Sequence, residues 1–141
     1  MSIDNKRTVR VVRENWPADP SIFDGRYTDD YVYHGIPLIG DLRGLPAYKA
    51  MAAGFSNAIA NLREDVVDQI AEGDKVVTRL SGTGQHTGEI MGAAGSGRSL
   101  QWTAVVISRF VDGKIAEEWV EFDALSFLQQ LGVVGELQRN Q

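Results

Sequence analysis

The stretch Phe110-Val111-Asp112-Gly113-Lys114-Ile115-Ala116-Glu117-Glu118-Trp119-Val120-Glu121-Phe122-Asp123-Ala124-Leu125 holds the reading on which the fold turns. Asp112-Gly113 lies between two runs rich in β-branched and aromatic residues, the strongest short-range sign of a tight hairpin. The run after the turn, Ile115 to Phe122, reads as a strand, and Ala124 to Leu131 as a last helix ending at Gly132. Residues two apart in a strand share a face, so Ile115, Glu117, Trp119, Glu121 and Asp123 line one side while Ala116, Glu118, Val120 and Phe122 line the other. Carboxylates interleaved with Ile115 and Trp119 break the usual apolar-in, polar-out rule, and such conflicts gather at functional sites. Glu117 and Glu121 have a plainer explanation, in which they reach solvent or pair with Arg79, Arg98 or Arg109. Asp123 ends the strand where the helix begins, so its plain role is an N-cap that accepts backbone N–H bonds.

Upstream, Leu100 to Phe110 is the partner strand of the hairpin. Residues 86–98 hold Gly88, Gly92, Gly95 and Gly97 and read as a long glycine-rich connection or lid rather than a packed element. Before it, Lys75 to Gln85 forms a strand that pairs, across the turn Glu72-Gly73-Asp74, with a strand beginning at Asp65, where Val66, Asp68 and Ile70 alternate with Val67 and Gln69. The longest helix is expected over Pro46 to Leu62, where Leu45, Tyr48, Met51/Ala52, Phe55, Ile59 and Leu62 recur with helical period and Pro46 suits a first turn. A first short helix spans residues 4 to 16, with Val9, Val12 and Trp16 as one buried stripe closed by Pro17. Ser21 to Asp24 could add a further turn, and Tyr27 to His34 reads as a half-extended segment beside a pocket. Helices first and a four-stranded antiparallel meander later make an α+β domain rather than a βαβ repeat.

The bulk numbers agree with one domain over residues 1–141. A chain of 141 residues can bury about two-thirds of its unfolded surface, enough for a core that also encloses a pocket. Hydrophobic residues at 43% and charged residues at 23% exclude the polar composition of a disordered chain. The net charge of −5, with no run of lysines or arginines, excludes binding to a phosphate backbone, so no nucleic-acid partner is expected. No apolar stretch has bilayer-spanning length, and the start Met1-Ser2-Ile3-Asp4-Asn5-Lys6-Arg7 lacks the apolar block of a secretory signal. No membrane association and a cytoplasmic location are therefore expected. Zero cysteines and two histidines, His34 and His86, leave no disulfide or thiolate chemistry and little for a metal.

Four segments occur in an order that resembles SnoaL-like polyketide and ester cyclases: Asp30-Tyr31-Val32-Tyr33-His34-Gly35, Ala71-Glu72-Gly73-Asp74-Lys75-Val76, Gly84-Gln85-His86-Thr87-Gly88-Glu89 and Phe110 to Ile115. The ending, Glu117 to Leu125 followed by Phe127-Leu128-Gln129-Gln130-Leu131-Gly132, extends the resemblance over nearly the whole chain. The resemblance implies a nuclear-transport-factor-2-like cone, in which a curved antiparallel sheet wraps around N-terminal helices and encloses a deep apolar pocket. That fold hosts cyclases, isomerases, epoxide hydrolases, dehydratases and non-catalytic binding or assembly domains, so the chemistry must come from the site.

The resemblance also nominates Asp123, four residues after Trp119, as the catalytic acid/base. An aspartate desolvated among aromatic side chains would have its pKa raised towards neutrality and could both accept and return a proton without a cofactor. In a cyclase it would take a proton from a carbon flanked by carbonyls, and the carbanion would attack a second carbonyl of the same substrate, which the pocket holds folded. His34, which the resemblance turns towards the cavity, ranks second as a partner for an enolate oxygen. His86 reads first as an exposed loop residue and only second as a pocket residue.

Trp16, Tyr31, Met51, Phe55, Trp102 and Trp119 could form an aromatic slot for an apolar, even polycyclic, small molecule, although a small core would use the same residues. Gly92-Ala93-Ala94-Gly95-Ser96-Gly97 lacks the context and the lysine of a phosphate-binding loop. The strand Val105-Val106-Ile107-Ser108-Arg109 lacks a histidine often found there in the cyclases, which opens isomerisation, hydration or hydroxylation alongside ring closure. Because that strand is apolar on both faces, a homodimer through the sheet is expected.

Overall fold

The computed structural model describes residues 2–135. Helix α1 (Ser2–Asn15) is followed by a 3-10 turn (Pro20–Phe23), strands β1 (Tyr27–His34) and β2 (Asp41–Arg43), and helix α2 (Leu45–Ala58). Strands β3 (Ile59–Glu72), β4 (Lys75–His86), β5 (Ser99–Val111) and β6 (Lys114–Phe122) and helix α3 (Ala124–Leu131) complete it. The strands form one curved, open sheet in the order β2-β1-β6-β5-β4-β3.

The expected antiparallel meander is β3 to β6, in which each strand pairs with the next. The sheet as a whole is mixed rather than antiparallel, because β1 is a full strand and lies parallel to β6, with Tyr27 opposite Ile115 and His34 opposite Trp119. Strand β2, too short to show in the sequence pattern, adds the sixth strand at the edge. In the β5–β6 turn both Asp112 (φ 49°) and Gly113 (φ 77°) are left-handed, the geometry that an Asp-Gly hairpin requires.

Helix α1 buries the stripe foreseen for it: Val9 and Val12 are each 1% exposed and Trp16, just beyond its end, 6%. Two hydrogen bonds dock it on β3, from the Val66 N–H to Glu14 Oε2 (3.1 Å) and from Gln69 Nε2 to the Lys6 carbonyl (3.0 Å). Helix α2 stops at Ala58, four residues short of Leu62, and β3 starts at once rather than at Asp65. The cause is local. Asn61 takes a left-handed φ of 55° and the β3–β4 register shifts between Ala60 and Arg63, so an extra residue bulges from the strand. The bulge turns Ile59 and Leu62, three apart, towards the interior and imitates helical spacing in an extended chain.

The glycine-rich connection is mostly exposed, as expected, but it is anchored at one point. Ala93 is buried in the second core cluster, and an isolated bridge joins Ile90 to Ala93. His86, expected in an exposed loop, is fully buried at the end of β4, where its ring nitrogens contact Ser96 Oγ (3.1 Å) and the Ala93 carbonyl (3.3 Å). Ser96 Oγ and the Ala93 carbonyl thus fold inwards onto the histidine, which a glycine count does not reveal.

Candidate functional site

The inner face of the sheet and the three helices line a partly open cavity of about 90 Å³. Its wall is mostly apolar: Met51, Ala52 and Phe55 from α2, Leu62 from β3, Leu80 from β4, Trp102, Ala104 and Val106 from β5, Val120 and Phe122 from β6, and Phe127 from α3. Trp102 gains its position from Gly82 on the neighbouring strand, directly opposite, where a Cβ would collide with the indole. A cavity of roughly 150 Å³ takes benzene, so an aromatic ligand here must push side chains such as Phe55 and Phe127 aside.

Set into this wall are Arg13, Trp16, Tyr33, Tyr48 and Glu64. Glu64 is 8% exposed and Arg13 7%. Trp16 Nε1 donates to Glu64 Oε1 at 2.6 Å, and Arg13 Nη1 lies 3.7 Å from the same oxygen. Burial works to lower the Arg13 pKa, but Tyr48, Glu64 and Glu118 outweigh it and hold the guanidinium well above its ordinary value. Burial pushes the Tyr48 and Tyr33 phenols up, against the opposing charge of Arg13, so both remain protonated donors. Beneath them Glu118, 1% exposed, accepts from the Tyr31 hydroxyl (2.8 Å) and from Ser108 Oγ (2.6 Å).

Of the residues singled out in the sequence, Trp16, Met51, Phe55 and Trp102 come together around this cavity. Tyr31 is fully buried behind it, edge-on to Tyr27 and Tyr48. From Ala116 on, β6 divides into two faces as expected, but the sides are the reverse of those expected: Val120 and Phe122 face the cavity, which places Glu117, Trp119 and Glu121 on the outer face. Ile115, beside the register shift at Arg109/Phe110, departs from the alternation and is buried in the same core cluster as Val120. His34 belongs to that outer face. Its Nε2 contacts Glu117 Oε2 at 2.6 Å, its Nδ1 lies 3.3 Å from Asp41, and its ring stacks on Trp119 with centroids 5.4 Å apart. Arg109 Nε also donates to Glu117 (3.1 Å), the pairing foreseen for that carboxylate.

Asp123 is exposed rather than desolvated among aromatic rings. Its Oδ1 accepts the Ser126 N–H at 3.1 Å and caps α3, whose Phe127 does reach the cavity. His86 is likewise separate from the cavity wall, buried under the glycine-rich connection.

Arg13 and Glu64 were missed in the sequence, yet both carry a signal. Val9, Val12 and Arg13 of α1 and Trp16, just past its end, fall at i, i+3, i+4 and i+7 of a helical period, so Arg13 is a charge inside an apolar stripe. Leu62, Glu64 and Val66 alternate in β3, so Glu64 is an acid on the buried face. Among the described residues no cluster of three or more histidine or acidic side chains is arranged to hold a metal ion, and no helix is long and apolar enough to cross a membrane.

Comparison with solved structures agrees with this architecture. AclR from Streptomyces galilaeus, described as a candidate hydroxylase, is 26% identical with a TM-score of 0.86, covering 99% of this chain and 87% of its own. IdmH from Streptomyces antibioticus, described as a candidate polyketide cyclase, is 26% identical with a TM-score of 0.80, covering 91% of this chain and 98% of its own. A protein with a ketosteroid isomerase-like fold from Catenulispora acidiphila, 18% identical with a TM-score of 0.73 over 94% of this chain and 97% of its own, shares the fold. No curated protein matches the chain. The family profile described as SnoaL-like polyketide cyclase matches residues 6–131, nearly the whole length, and the chain belongs to that family.

Proposed function

We propose that this chain is a cyclase-like catalyst that moves a proton on an apolar carbonyl compound held in the cavity, with Glu64 as the carboxylate that takes and returns it. One observation carries the reading: an acid sits in a mostly apolar wall with Oε1 held by Trp16 and Oε2 without a hydrogen bond among the described residues. A positioned carboxylate of this kind suits general acid/base work in ring closure, and isomerisation or hydration would draw on the same group. Asp123, nominated by resemblance, is the rival, and its exposure and its bond to Ser126 support a capping role.

The test is deuterium exchange at the benzylic carbon of phenylacetone in D₂O, followed by NMR. Glu64→Gln should slow protein-catalysed exchange by about a hundredfold or more, while Asp123→Asn should leave it within about twofold. The opposite ranking would return the acid/base role to Asp123, and binding of the ketone without exchange in the unaltered protein would make this a binding domain.

The outer face carries a second proposal, a homodimer formed through the sheet. Ile70, Val77, Ile107 and Trp119 lie in one cross-strand row, and Ile70 (64%) and Val105 (40%), two residues before Ile107 on β5, are exposed. Sedimentation should give twice the monomer mass, and Ile70→Lys with Val105→Lys should return the monomer; a monomeric parent protein would remove the proposal.

A further inference from the structure

Two kinds of hydrogen-bonding capacity are left open beside one another in the cavity. Arg13 makes one ion-pair contact, at 3.7 Å, and no hydrogen bond among the described residues. Glu64 Oε2 likewise accepts none, since both contacts of that carboxylate fall on Oε1. Yet no fully enclosed side-chain nitrogen or oxygen among the described residues lacks a partner. The unbonded atoms of Arg13 and Glu64 are therefore not sealed in protein, and both residues line the cavity. The outer-face carboxylate Glu117 differs, with His34 and Arg109 each taking one of its oxygens.

We infer that Arg13 is a catalytic residue that exchanges partners during the reaction, releasing its hold on Glu64 and binding the oxyanion that forms on the substrate. This rests on the reading of Glu64 as the proton acceptor. The substrate C–H bond breaks, its proton goes to Glu64 Oε2, and the electron pair moves onto the carbonyl oxygen. The negative charge thus leaves Glu64 and appears on the substrate oxygen, while the charge beside Arg13 stays constant. A buried guanidinium is costly without an anion beside it, and here it has one at every stage. When the carbanion carbon forms its new bond to a second carbonyl carbon, the Glu64 proton passes to the resulting alkoxide and the original ion pair returns. Tyr33 and Tyr48, protonated and in the same wall, add neutral donors that need not change state.

The experiment uses 4-nitrophenol, whose absorbance separates phenol from phenolate, as a stand-in for the enol and enolate. In the full-length Glu64→Gln protein, which imitates protonated Glu64, bound nitrophenol should ionise at a pH lower than in water by about one unit or more. The unaltered protein, with the Glu64 carboxylate already beside Arg13, should favour the neutral phenol. Arg13→Met added to Glu64→Gln should abolish the downward shift, and Arg13→Lys, which keeps the charge, should keep part of it. A role for Arg13 in packing alone would not move the ionisation of a bound phenol. Neutral nitrophenol bound to Glu64→Gln, no binding at all, or a shift that survives Arg13→Met would each overturn the inference. A nitrophenol result as expected with phenylacetone exchange unaffected by Glu64→Gln would leave the Arg13 anion site standing and remove only the assignment of Glu64 as base.

Discussion

The two faces of the sheet each carry a carboxylate paired with cationic partners, and they pair differently. On the outer face Glu117 meets His34 at 2.6 Å and Arg109 at 3.1 Å, with all three side chains roughly a quarter to a third exposed. On the inner face Glu64 and Arg13 are about nine-tenths buried, stand 3.7 Å apart and have atoms to spare. Water screens the outer cluster, so its complete hydrogen bonding contributes little stability. The inner pair has shed its water and must find compensation in protein or ligand. A charge cluster with every position filled is structure, whereas one with open positions facing a void is available for chemistry.

Removing one inner partner tests that contrast with the largest effect. Arg13→Met leaves Glu64 as an uncompensated buried charge and should cost about 3–5 kcal/mol in urea denaturation at neutral pH. Most of that loss should return when Glu64→Gln is added; equal losses in the single and double variants would mean that the pair is not coupled. Asp123→Ala should cost about 1 kcal/mol through the lost cap on α3, with Asp123→Ser recovering most of it. A loss several times larger would show that Asp123 carries more than the cap.

The smallest effect belongs to the outer cluster and has a definite sign. The Glu117 hydrogen bond raises the His34 pKa, against a smaller opposing effect of burial. The stabilisation is therefore full below the ordinary histidine value of about 6.5 and is lost as pH rises through the raised folded value. Glu117, lowered first by His34 and then by Arg109, contributes above the ordinary carboxylate value of about 4.3 and loses that contribution as pH falls through its lowered folded value. Thermal melts of His34→Gln against the parent protein should therefore differ by less than about 1 kcal/mol, with the difference shrinking above pH 6.5. A difference that grew with pH would reverse the assignment of His34 as a cation.

Local chemistry made much of the fold legible. The Asp112-Gly113 turn, the Val9/Val12/Trp16 stripe and the helix between Asp123 and Gly132 each depend on a few adjacent residues, and each stands as read. The end of α2 was illegible because a bulge at Asn61 gives a strand the inward spacing of a helix. The face of β6 that meets the cavity could not be read from alternation, which divides a strand into two sides without saying which is inside. Glu118 shows the difficulty: it is an acid on the inner face, satisfied by Tyr31 and Ser108, partners 87 and 10 residues away. Arg13 was overlooked beside Val12, although a charge in a buried stripe is itself the anomaly that marks a site.

The parallel pairing of β1 with β6 has a consequence for how the molecule comes together. Strands β3 to β6 join through successive antiparallel pairings, whereas seating His34 opposite Trp119 closes a loop of roughly 85 residues. Non-local pairings are slow to form because the chain's freedom is lost before their contacts are gained. The apolar trough of the meander should therefore assemble early, and the seam joining β1 to β6 late. Substitutions in that seam should then act mainly on unfolding, and those in the β4–β5 hairpin on folding.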